Sequence, residues 1–105
     1  MNRKQYVAHI QRRHKEAGDI TERKSKDYTG DGDPFDSFTI PSSAAGIRPE
    51  EYLIALMTMK LVRVRAILTE GKANFESAGD SLLDISNYAL ILDAFIESKN
   101  KRKTK

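Results

Sequence analysis

The sequence contains no cysteine. Disulfides, thiolate metal sites and cysteine nucleophiles are therefore excluded. Apolar runs are short, well below the roughly 18 residues that cross a bilayer. The opening Met1-Asn2-Arg3-Lys4-Gln5 leads into no apolar secretory segment. Together these absences point to a cytoplasmic protein with no membrane partner. His9 and His14 are five apart, which is not zinc-ligand spacing, and Ser42 and Ser43 sit in no nucleophile motif. Asp31, Asp33 and Asp36 lack the ligand spacing and closing Glu of a calcium loop, so turn-forming Asp beside Gly accounts for them better.

What is present is one modest domain. The chain has 105 residues, 39% hydrophobic and 31% charged, an ordinary balance for a folded protein. Its net charge of +3 conceals three blocks: residues 1–26 carry +5, residues 27–98 carry −7, and residues 99–105 carry +5. The high pI thus comes from the ends. A duplex-binding protein spreads its basic residues over a folded face, so nucleic acid is not the expected partner. The reading assigns 1–98 to a single all-α domain and 99–105 to a disordered basic tail.

Periodicity predicts three main helices with a long ordered loop between the first and second. The first runs from about Arg3 to Lys26, with Tyr6, Ile10, Ala17 and Ile20 at helical spacing. Gly18 costs about 1 kcal/mol there and leaves room for a break, with Asp19 as the cap of a second short piece. Residues 27–46 contain Gly30, Gly32 and Pro34 and read as the loop, packed back through Tyr28, Phe35 and Phe38, with a helical turn near Ser42–Ala45. The second helix opens on Arg48-Pro49-Glu50-Glu51, where proline and acids suit a helix start, and runs to about Thr69 before Gly71. The third spans about Ala78 to Ser98 and is apolar nearly all round. Such a helix calls for a second copy of the chain to cover it, so a homo-oligomer is expected.

Polar residues interrupt that third helix along one stripe: Glu76, Asp80, Asp84 and Asn87. A carboxylate among leucines needs a partner. The second helix supplies Lys60 and Arg63 on one face. Two readings stand open. Asp84 forms an inter-helix ion pair with Lys60 or Arg63, or the stripes line a mixed-charge pocket. In that pocket Lys60 and Arg63 would hold phosphate, and the carboxylates would hold Mg2+ or a sugar hydroxyl. Lys26-Asp27-Tyr28 adds a lysine for phosphate and a tyrosine that either stacks on a base or anchors the loop.

These residues carry a family resemblance. Lys26-Asp27-Tyr28, Asp33-Pro34-Phe35 with Phe38, Met59-Lys60-Leu61-Val62-Arg63, and Glu76 followed by the run Asp80 to Ala89 resemble the phage and bacterial "nucleotide modification associated domain", first type. The likeness covers about residues 20–96, and its most specific part is Asp80-Ser81-Leu82-Leu83-Asp84-Ile85-Ser86-Asn87-Tyr88. The resemblance implies an all-α phage-type protein of nucleotide metabolism. It implies Lys26, Asp27, Tyr28, Lys60, Arg63, Asp80, Asp84, Asn87 and Tyr88 as ligand-binding residues, with Asp80 and Asp84 as candidate metal ligands. A looser likeness is to all-α pyrophosphohydrolases of the MazG and dimeric-dUTPase type, which hold Mg2+ between acidic pairs on two helices. Here the acids lie on the third helix only, and Lys60, Arg63 and Arg65 occupy the second. The expected function is therefore to hold a nucleotide, such as a modified deoxynucleotide or a host nucleotide signal, without turnover. Mg2+-dependent hydrolysis and a protein-binding accessory role are the alternatives.

Overall fold

The computed structural model describes the backbone over residues 1–29, 32–70 and 75–103, and side chains over 1–26, 32–70 and 78–101. Four helices account for it: α1 (Arg3–Thr29), α2 (Asp36–Ala45), α3 (Pro49–Glu70) and α4 (Phe75–Lys103). No strand occurs among the described residues, and no helix there is long and apolar enough to cross a membrane. The expectation of three helices is thus corrected to four. The second and third predicted helices are α3 and α4, and the additional one lies inside the predicted loop.

Local chemistry starts each element. Asn2 and Gln5 form a reciprocal box at the head of α1: Gln5 N–H donates to Asn2 Oδ1 and Asn2 N–H to Gln5 Oε1, both at 2.9 Å. The helix then continues unbroken through Gly18. Asp33 starts α2, its Oδ1 accepting from Phe35 N–H at 2.9 Å and its carbonyl from Asp36 N–H at 3.1 Å. Pro34 supplies a fixed φ suited to that turn. Pro41 inside α2 removes one main-chain donor, yet Phe38 and Ser42 are buried at 4% and 0% exposure, and their packing holds the helix. Gly46 ends it at φ 73°, with Gly46 N–H on Ser43 O and Ile47 N–H on Ser42 O. At α3, Glu51 Oε1 accepts from Arg48 N–H at 3.1 Å, and Pro49 fills the first helical position. Gly71, expected to stop this helix, lies outside the described residues.

α3 and α4 form an antiparallel hairpin. Two ion pairs set its direction, one near the start of α3 and one near its middle: Lys99 Nζ to Glu50 Oε2 at 3.2 Å, and Lys60 Nζ to Asp84 Oδ2 at 2.9 Å. The helix therefore runs on past Ser98, where the sequence reading begins a structureless tail, and Lys99 is part of the packing. Its ammonium also lies 5.4 Å from the centre of the Phe95 ring. α1 packs on α4 through Ala17, at 1% exposure. There Arg13 Nη2 donates to Gly79 O at 2.6 Å. A methyl group at Gly79 would stand 3.5 Å from that guanidinium, so the close approach relies on little more than contact distance. α2 is fastened by three mutually edge-to-face rings, Phe35, Phe38 and Phe95, with centroids 5.4 to 5.6 Å apart. α4 contributes Ala78, Ser81, Leu83 and Asn87 to the buried set, and Leu53 of α3 is sealed almost completely, at 1%.

Candidate functional site

All four helices contribute to a cavity of about 500 Å3. α2 covers it with Phe35 and Phe38, and the α3 wall is Tyr52, Leu53 and Leu56. α4 supplies Asp84, Asn87 and Tyr88, with Ile91 and Ala94 farther along the same helix. α1 closes the side with Thr21, Lys24 and Ser25. The lining is mostly apolar and aromatic, with a few fixed polar groups, the composition expected of a small-molecule site.

Helical spacing explains the polar wall. Asp84, Asn87 and Tyr88 stand three and four residues apart and so project from one side of α4. Asp84 is held by Lys60, whose side chain is 30% exposed against 26% for Asp84. Of the two readings left open by the sequence, the ion pair is the one observed, and it lies on the cavity wall. Asn87 is 8% exposed, and no side-chain hydrogen bond to it is formed among the described residues. An amide carries two donors and a two-lone-pair acceptor. Buried on a cavity wall, Asn87 is the group best suited to meet a ligand's polar edge.

The remaining candidates fall elsewhere. Lys26 points away and pairs with Glu22 at 3.3 Å, while Lys24, two residues earlier, lines the cavity. Residues two apart on a helix face different ways. Arg63 is exposed and has interactions of its own, one turn beyond Lys60. Asp80 is exposed over a second depression, formed with His9, Arg13 and His14. The side chains of Asp27, Tyr28 and Glu76 lie outside the described residues. Among the described residues no three His, Asp or Glu side chains gather closely enough to hold a metal ion. Asp80 and Asp84 open onto different cavities and Asp84 is engaged by Lys60, so the geometry does not bring them together as a Mg2+ site.

Sequence reasoning missed Thr21, Lys24, Ser25 and Tyr52 as lining residues. Only Lys24 carried a readable signal, as a cation in the basic first block. Away from the cavity, Glu50 and Glu51 show a resolved electrostatic bias. The backbone N–H of Glu50 itself, then Lys99, hold the Glu50 carboxyl below its ordinary value. The N–H of Arg48 and then its guanidinium do the same for Glu51. Both effects favour the charged form at the positive end of α3.

No family model, curated protein or solved structure matches the chain.

Proposed function

We propose that the protein binds a nucleotide in the cavity between its four helices and holds it without turning it over. The observation that carries this reading is the α4 wall: a buried Asn87 amide beside the Lys60-held Asp84, facing the aromatic rings of α2. A flat heteroaromatic base is the ligand that uses all of these at once. Its faces meet the Phe35 and Phe38 side of the cavity, and its polar edge exchanges hydrogen bonds with Asn87. Lys24, on the α1 rim, then meets the anionic end, and Asp84 accepts from a sugar hydroxyl. In this reading Lys60 orients Asp84 and does not itself hold phosphate.

The same arrangement supports holding without turnover. Phosphoryl transfer requires charge stabilisation fixed beside the reacting phosphate. Among the described residues the one acid lining the cavity, Asp84, is already paired with a cation, and Asp80 lies over another depression. Calorimetry with a panel of nucleoside mono-, di- and triphosphates, with and without Mg2+, tests the proposal, combined with product analysis after prolonged incubation. The expected result is micromolar binding, unchanged nucleotide, and at least tenfold weaker binding by Asn87→Ala. Absence of binding across the panel overturns it, and Mg2+-dependent product formation replaces it with hydrolysis.

A further inference from the structure

The outward side of α3 is apolar along its whole length. Ile54, Leu61 and Leu68 repeat every two turns and are 52%, 53% and 68% exposed. Val62 borders them at 62%, whereas Met59, exposed at 67%, stands two residues from Leu61 and faces another side of the helix. Thr58 and Thr69 lie on the same arc, and their hydroxyls donate back to Ile54 O and Arg65 O, each at 2.8 Å, so those polar groups are satisfied within the helix. Arg65 is the one cation on this arc and makes no ion pair among the described residues.

α4 also leaves Leu82, Leu90 and Ile96 exposed, but exposed Asp93 and Glu97 break that surface, whereas Ile54, Leu61, Val62 and Leu68 share one side of α3.

We infer that α3 docks on α3 of a second copy, antiparallel, about a two-fold axis passing beside Thr58. Charge selects this orientation and register. Glu51 and Arg65 stand two helical turns either side of Thr58, both on the outward side. An antiparallel pair centred at Thr58 sets each Glu51 against the partner's Arg65, twice per dimer. A parallel pair would set Arg65 against Arg65. The same register places Ile54 opposite Val62 and brings Ile47, 39% exposed, to the turn carrying Leu68. The surface is thus self-complementary, as a two-fold contact requires.

Sedimentation equilibrium and cysteine cross-linking of the full chain test the inference. The unmodified protein should be a dimer at micromolar concentration. Leu61→Glu should give a monomer with unchanged helical circular dichroism. Arg65→Glu should weaken the dimer about tenfold, since each change acts at two contacts. Adding Glu51→Arg should restore it in part, because the pair is then reversed and again attractive while the Arg48–Glu51 contact at the head of α3 is lost. The chain lacks cysteine, so Thr58→Cys places one thiol per copy at the axis and should oxidise rapidly to a linked dimer, while Ser43→Cys should not. A monomeric unmodified protein, a dimer indifferent to Leu61→Glu, binding of α3 to lipid vesicles in place of self-association, or faster linkage at Ser43 than at Thr58 would each overturn it.

Discussion

Lys60 and Asp84 join α3 to α4 beside the cavity, and a double-mutant cycle measures what they contribute. The relevant variants are Asp84→Asn, Lys60→Met and the pair combined. Nζ and Oδ2 are 2.9 Å apart, a short charge-assisted contact. The side chains are 30% and 26% exposed, between the surface case and the buried one. Fully exposed pairs contribute about 0–1 kcal/mol, and breaking a buried pair costs about 3–5 kcal/mol. At this intermediate exposure each single change should cost about 1–2 kcal/mol, because water reaches the orphaned partner in part. The double variant should lose little more than either single, giving a coupling of about 1 kcal/mol. For a domain of this size each kcal/mol moves the melting temperature by roughly 4–8 °C. Thermal and urea unfolding followed by circular dichroism at one fixed protein concentration would read these values, since self-association adds its own stabilisation. Strictly additive single variants, or an Asp84→Asn protein whose melting temperature does not move, would refute the argument that this pair fastens the hairpin.

Leu53→Ala should cost about 2–5 kcal/mol in urea unfolding, because Leu53 is 1% exposed at the centre of the packing and α3 has little freedom to collapse around the space. Stability should also fall in acid. The carboxyls of Glu50 and Glu51 are held below their ordinary value of 4.5, so their contribution is complete above that pH and is lost as pH drops through the lower folded values. A melting-temperature series from neutral pH down to pH ~3 should be steeper for the unmodified protein than for Glu50→Gln, and parallel curves would remove Glu50 from the account.

The sequence shows three of the helices plainly and conceals the fourth. α1, α3 and α4 carry long apolar periodicity, while α2 is short and contains Pro41. Its start was nevertheless written in Asp33-Pro34, a turn-forming acid before a proline, and in Phe35, Phe38 and Ser42 at helical spacing. Like charges made residues 99–105 read as unstructured, yet main-chain hydrogen bonding carries α4 through Lys103 and Lys99 packs over Phe95. For the site, the α4 stripe was legible because Asp84, Asn87 and Tyr88 repeat with the helix. The α1 contribution was not, because choosing Lys24 over Lys26 depends on how α1 is rotated against α4, which periodicity within one helix does not specify. Asp80 shows the same limit: one turn from Asp84, it opens onto another cavity.

The three-ring cluster that fastens α2 has a consequence for synthesis. Phe35 and Phe38 are made before their third partner, and Phe95 follows Phe38 by 57 residues. Ribosomes add about 5–20 residues per second, so roughly 3–11 s separate the first two rings from the third. During that interval α2 lacks one of its anchors, and a ten-residue helix has little stability of its own. α1 and α3 can form as they emerge, but the cavity gains its aromatic cover only when the far half of α4 arrives. A nascent chain stalled before Phe95 would therefore present Phe35 and Phe38 to whatever binds exposed aromatic segments in the cell, and release of the finished chain would withdraw them.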